Sequence, residues 1–234
     1  MIPEDHKTYV EVCAGAAWVF FGKEKSKYEV INDLDSEIVN FYRMLQNHLE
    51  EFVKQFRWIL SSREWFEDFK KQMEATGLTD IQRAARYYYL QRQAFGGHVK
   101  KQNYGTAPGR LPKINLLRIE EELSAVHLRL AQVTIENLNW DKLLKTYDRS
   151  ETFFFIDPPY SGAPVYRYNF DDSEYQAMSA ALSKIKGRFL LTINDTEEMR
   201  KTFKTFKMKP VELRYTLSGK SNKVNGRELI FTNY

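Results

Sequence analysis

The chain has 234 residues, 27.7 kDa, with 43% hydrophobic and 28% charged residues; this is globular composition and excludes a disordered, collagen-like or coiled-coil protein. The single cysteine, Cys13, excludes a disulfide framework and a Cys-rich zinc site, and no apolar run reaches the roughly 20 residues that span a bilayer. A net charge of +4 is only mildly basic, and points weakly to nucleic acid, whereas 14 Tyr and 16 Phe are an excess that suits base stacking as well as a core. The N-terminus has no basic region followed by an apolar stretch, so the expected compartment is the reducing cytoplasm.

In chain order, residues 8–12 (TYVEV) and 28–31 (YEVI) read as strands. From about residue 36 to 80 the pattern is long, aromatic and helical. Thr79-Asp80-Ile81-Gln82 fits a capping box that starts a helix through Arg92. Residues 94–118 then form a loop with four of the eleven glycines, two prolines, five Lys/Arg and no acid; its charge of +5 exceeds that of the whole chain. Helix resumes with IEEELSAVHLRLAQ. Strands follow at 133–137 and 153–156. A helix opened by Asp171-Asp172-Ser173-Glu174 runs toward Gly187, read as its C-terminal stop. After a strand at 188–193, Asn194-Asp195-Thr196 opens the next helix, and strands at 211–215 and 228–232 end the chain. The polar LSGKSNKVNG between the last two reads as a hairpin connection, which makes the final strand antiparallel. Strands alternating with helices imply βαβ units and a largely parallel sheet, hence an α/β fold. The predicted division is a sheet domain of residues 1–40 and 130–234 with a helical insertion, 41–129. His6, His48, His98 and His127 are scattered without metal-ligand spacing, and Trp58 and Trp65 are expected to pack.

The motif that carries chemistry is FFFIDPPYSG, residues 153–162. An apolar strand runs directly into Asp157-Pro158-Pro159-Tyr160. The prolines stop the strand and remove two amide donors, which leaves backbone carbonyls free to accept. In an open α/β sheet, ligands bind at the C-terminal ends of strands. The result is a rigid ledge with a carboxylate, a carbonyl and an aromatic ring. That set suits a planar amine: Asp157 and the Pro158 carbonyl each accept one N–H, Tyr160 stacks on the ring, and the nitrogen lone pair turns toward an electrophile. By chance this tetrapeptide arises in roughly one chain per thousand of this length.

Asp-Pro-Pro-Tyr after an apolar strand resembles the catalytic motif of amino-methyltransferases that act on DNA adenine. TYVEVCAGAAWVFFG resembles the cofactor-binding strand and glycine turn of the Dam-type (α-group) DNA adenine-N6 methyltransferases, YEVINDLDSEIVNFYR that family's second strand and acidic turn, and KGRFLLTINDTEEMRKTF and RELIFTNY its late strands. The resemblance covers nearly the whole chain, in the family's order. It implies the Rossmann-like sheet of S-adenosylmethionine-dependent methyltransferases, seven mixed strands with the last antiparallel, and a DNA-recognition region between the second and third strands, where the helical insertion lies.

The resemblance assigns catalysis to Asp157, Pro158, Pro159 and Tyr160. It assigns the cofactor to Glu11, Cys13, Ala14, Gly15 and Ala16 at the first turn, to Asp33 toward the ribose hydroxyls, to Asn137 and Leu138 near the cofactor adenine, and again to Asp157. Asp33 has a second reading as the N-cap of the following helix. Double-stranded DNA is the implied partner, with no metal or membrane, and the chain is expected to be a monomer. Lys100, Lys101 and Lys113 would meet phosphate, Arg110 a guanine edge, and Tyr104 the place where the target base leaves the helix. Members also carry a Lys-Trp, paired-glycine and Lys segment ahead of the first strand, whereas Met1-Ile2-Pro3 stands only a few residues before it here. Val12 and Cys13 replace the usual Pro-Phe, and Ala17 the second glycine of the turn. The expectation from these departures is a weakened hold on cofactor. The implied activity is N6 methylation of DNA adenine; the alternatives are a non-catalytic DNA-binding remnant and a cytosine-N4 methyltransferase.

Overall fold

The computed structural model describes residues 1–94, 103–105, 114–115, 118–162, 166–215 and 224–234. His98 and the expected DNA contacts Lys100, Lys101, Arg110 and Lys113 lie outside the described residues. The chain divides into two units, Met1–Leu34 with Thr134–Tyr234, and Asp35–Val133.

The first unit is built on a seven-stranded sheet: β1 (Thr8–Glu11), β2 (Tyr28–Asn32), β3 (Thr134–Glu136), β4 (Thr152–Ile156), β5 (Arg188–Asn194), β6 (Lys207–Tyr215) and β7 (Val224–Thr232). Their order across the sheet is β3-β2-β1-β4-β5-β7-β6. All neighbours are parallel except β7, which is antiparallel to β5 and to β6. This is the α/β, Rossmann-like sheet expected, with its last strand reversed. β1 lies in the middle, and the chain builds outward through β2 and β3 before returning to β4 on the other side. The topological switch therefore falls between β1 and β4, where ligands collect in such sheets. Thr8 pairs with Thr152 and Glu11 with Phe155, so the turns after both strands leave the same edge side by side.

The central strands are apolar because both faces are covered. Every residue of β4 is buried. On one face Val10, Val12, Val30, Phe154, Ile156, Leu191 and Ile193 pack against α7 (Trp140–Tyr147), α8 (Asp172–Leu182) and α9 (Glu197–Thr202). Helix α1 (Trp18–Gly22) follows β1 directly. The Asp171 carboxylate caps α8 by accepting from the Glu174 amide at 3.0 Å. Gly187 is not that helix's stop, since α8 ends at Leu182. Its place is set by packing: a Cβ there would meet the Thr152 carbonyl oxygen at 2.8 Å.

The second unit carries α2 (Ser36–Asn47), α3 (Leu49–Lys54), α4 (Arg63–Lys71), α5 (Asp80–Gln93) and α6 (Ile119–Leu130). The capping box at Thr79 forms, with reciprocal bonds to Gln82 of 3.0 and 3.3 Å. Glu37 on α2 takes both Arg83 and Arg86 of α5, the latter at 2.8 Å and nearly enclosed. Phe41, Phe52, Phe56 and Tyr88 make one aromatic cluster. Trp58 does not pack as expected: it falls in the turn after α3, where no helical face turns it inward, and is exposed, whereas Trp65 on α4 sits at the surface with its ring against Phe69 at 5.6 Å.

Candidate active site

Strand β1 ends into a tight turn of small residues. Gly15 sits at φ +49°, and where its Cβ would stand there is open space. Ala17 also adopts the left-handed region, at φ +51°, to start α1; this is the position at which a glycine is the comfortable residue. The Ala14 amide donates to the Asn32 carbonyl at 2.8 Å, and the Gly15 amide to the Asp33 carboxylate at 2.8 Å. Asp33 thus ties the end of β2 to the turn, and does not cap the next helix. Asp35 does that, accepting from the Glu37 amide. Ala16 is exposed. Cys13 packs beside the sheet core, and burial pushes its thiol well up, so it is inert.

Asn32 organises this edge, and sequence reasoning gave it no role. It is buried, and its amide donates to the Val12 and Leu138 carbonyls at 2.8 and 3.0 Å while its oxygen accepts from the Leu138 amide at 2.8 Å. Asn137 in turn donates to the carbonyls of Asp33 and Leu34 at 2.8 and 3.1 Å. The ends of β1, β2 and β3 are fixed relative to one another by these two amides.

Glu11 lies nearly enclosed beneath the turn. It accepts from the Tyr9 hydroxyl at 2.5 Å, and burial pushes its carboxyl up to about 7, helped by the negative charge of Asp157 and opposed by Tyr9, the Phe20 backbone amide and Lys23. Lys23 stands over the Tyr9 ring at 4.2 Å and pairs with buried Glu29 at 2.5 Å.

Beside that turn, the buried strand β4 delivers Asp157. The residue is exposed at the surface, yet enough protein surrounds it that desolvation is the largest influence on its carboxyl, which is raised above the ordinary aspartate value. Hydrogen bonds from Thr192, at 2.8 Å, and from Tyr160 work in the opposite direction. Pro158 is buried, and no donor among the described residues occupies its carbonyl. The Pro159 carbonyl accepts from the Tyr175 hydroxyl of α8 at 2.5 Å. One strand over, on the same face of β5 as Thr192, Asn194 donates to the Ser161 carbonyl at 3.1 Å, and its Oδ1 is buried without a partner. Exposed Tyr166, beyond the motif, is close enough to Asp157 and Asp33 that their charges add to the desolvation raising its phenol. The sheet therefore gathers the Gly15 turn, Asp33, Asn137, Leu138 and the Asp157–Tyr160 ledge at one edge. Thr192, Asn194, Tyr175 and Tyr166 join them; only the two tyrosines left a sequence signal, as aromatics shortly after the ledge.

The model of the D12 class of N6 adenine-specific DNA methyltransferases matches residues 1–217. This chain belongs to that class. The methyltransferase is 24% identical over 241 residues to the type II methyltransferase M.CviBI of Paramecium bursaria Chlorella virus NC1A, covering all of this chain and 92% of that protein. It is 26% identical over 257 residues to the type II methyltransferase M1.LlaDCHI of Lactococcus lactis subsp. cremoris, covering 89% of it. A solved structure titled as SMU.472, a putative methyltransferase complexed with SAH, matches at 11% identity and a TM-score of 0.42; the chain spans 49% of it. The activity is transfer of a methyl group from S-adenosylmethionine to N6 of adenine in DNA, so cytosine-N4 methylation is set aside. Among the described residues no group of three His, Cys, Asp or Glu could hold a metal ion, and no helix is long and apolar enough to cross a membrane.

The site fits the cofactor. Gly15 leaves room over its backbone for close approach, and Asp33 offers a carboxylate acceptor at the end of β2. Bound there, S-adenosylmethionine supplies an electrophilic methyl group.

Proposed function

We propose that Asp157 and the Pro158 carbonyl hold the two N6 hydrogens of a flipped adenine while Tyr160 stacks on its ring. The observation that carries this is the ledge itself: a carboxylate pinned by Thr192 beside a carbonyl with no other donor, both rigid at the end of a buried strand. Two acceptors on one amine turn its lone pair out of ring conjugation. Bond formation at N6 then leaves a surplus proton. Asp157, beside the nitrogen and open to water, accepts and releases it. Glu11, Ala14, Gly15, Ala16 and Asp33 line the cofactor side, with Asn137 and Leu138 toward its adenine. Cys13 contributes shape rather than reactivity.

We further assign DNA recognition to Asp35–Val133, acting on double-stranded substrate as a cytoplasmic monomer. Tyr104, half-buried, lies against Phe66 at 5.5 Å and under the Arg63 guanidinium at 5.3 Å. The deciding test incubates the protein with labelled S-adenosylmethionine and unmodified DNA, then identifies nucleosides by mass spectrometry. N6-methyladenine that disappears in Asp157→Ala supports the assignment. Retained turnover in that variant refutes it, and DNA binding without product in the wild type would favour a non-catalytic remnant.

A further inference from the structure

The two prolines of the ledge settle most of its torsions before any tertiary contact forms. The rings of Pro158 and Pro159 fix their own φ, and each proline confines the residue before it, Asp157 or Pro158, to an extended ψ. The ψ of Pro159 is the first torsion left without such a restraint. It turns the peptide plane that joins Pro159 to Tyr160, and so sets the direction in which the Tyr160 ring leaves the backbone.

That plane is held from outside the ledge. The Tyr175 hydroxyl donates to the Pro159 carbonyl at 2.5 Å. Tyr175 is 1% exposed, its ring belongs to the apolar cluster that holds Phe154 and Ile156, and Phe170 lies against it at 5.5 Å. Burial, aided by the charges of Asp172 and Glu174, pushes its phenol up to about 12, so the hydroxyl keeps its proton at neutral pH and remains a donor. Beyond Tyr160, the Asn194 amide donates to the Ser161 carbonyl at 3.1 Å, just before Gly162 turns at φ +76°. Bonds from α8 and from β5 thus fasten the carbonyls on both sides of Tyr160.

We propose that Tyr175 is a positioning residue for methyl transfer: from the core it locks the Pro159–Tyr160 peptide and so aims the Tyr160 ring at the flipped adenine, with Asn194 holding the far side. This rests on the reading that Tyr160 stacks on that base. A buried tyrosine whose hydroxyl only needed an acceptor would stabilise the fold whatever stood at residue 160. One that sets the ring acts through Tyr160 alone.

The test measures labelled methyl transfer to unmodified DNA by the full chain, with kcat and KM separated. Tyr175→Phe keeps the ring in the core and removes only the donor. It should lower kcat about 10- to 100-fold, the effect of a misplacement of about 1 Å, while KM for DNA and cofactor affinity by calorimetry stay within about twofold. Tyr160→Ala should lower kcat at least as far, and adding Tyr175→Phe to it should change nothing more, because the two act as one unit. Asn194→Ala probes the other fastening without disturbing α8: kcat should fall in the wild-type background and not in the Tyr160→Ala background. Wild-type kcat in Tyr175→Phe would overturn the proposal. So would losses that multiply in the double variant, the sign of a structural role independent of Tyr160. If Tyr160→Ala itself turns over at the wild-type rate, the stacking assignment fails and the role of Tyr175 falls with it.

Discussion

Replacing Glu11 by Gln isolates the effect of one enclosed carboxyl. Glu11 is 2% exposed, with Tyr9, the Phe20 amide, Lys23 and Asp157 as its polar surroundings. Burial lifts its carboxyl from 4.5 to about 7. Between those values the folded protein keeps a proton that the unfolded chain has released. Stability from this group is therefore fully present below the unfolded value and declines as pH rises toward about 7. At ~1.4 kcal/mol per pH unit, the window amounts to about 3 kcal/mol. Gln keeps the shape, accepts from Tyr9 and does not titrate. Urea unfolding of both proteins from pH 4 to pH 8 should show near-equal stability around pH 4.5, with Glu11→Gln gaining steadily to about 3 kcal/mol by pH 8. The difference cancels the titrating groups that do not interact with Glu11. Parallel curves across that range would mean Glu11 titrates normally, and the reasoning from burial would be wrong.

Asp157→Ala should lower methyl transfer at least about 100-fold, because one of two acceptors on the amine is lost, while chemical denaturation shows stability within about 0.5 kcal/mol of wild type. Ala17→Gly should stabilise the protein by about 0.5–1 kcal/mol in thermal or urea unfolding, since it relieves a left-handed alanine and only partly returns that gain as unfolded-chain entropy. Glu37→Ala strands Arg86 inside the helical unit without its carboxylate, and should cost about 3 kcal/mol by urea unfolding, far more than an exposed pair such as Lys71 with Asp68 would.

Local chemistry was the legible part of the fold. The unbroken apolar run into Asp157-Pro158-Pro159 could only be a covered strand meeting a stop, and the Thr79–Gln82 box names its own hydrogen bonds. The polar tract between the last strands announced a reversal. Gly187 was misread because its demand is tertiary: the Thr152 carbonyl, far away in sequence, excludes a side chain there, whereas α8 closes earlier on Ser183. Trp58 was misread because hydrophobicity alone does not say which way a turn residue faces. At the site, Asn32, Thr192 and Asn194 looked like ordinary strand-end polar residues. Their partners, Leu138, Asp157 and Ser161, come from other strands' loops, so only the sheet order reveals them. Asp33 carried a favoured reading toward the ribose and a second as a helix N-cap, and its bond to the Gly15 amide leaves helix capping to Asp35.

The amides of Asn32 and Asn137 act as a clasp on the chain where it departs at Leu34 and comes back at Thr134. With both margins of that excursion fastened to the sheet, its length hardly matters to the sheet's stability: doubling a closed loop adds only about 0.6 kcal/mol of closure entropy. Residues between the fastenings can lengthen, shorten or be exchanged wholesale while β1, β2 and β3 keep their register. If that excursion reads DNA as proposed, drift in what this enzyme reads and constancy in what it does to an amine can proceed in one gene without interfering with each other.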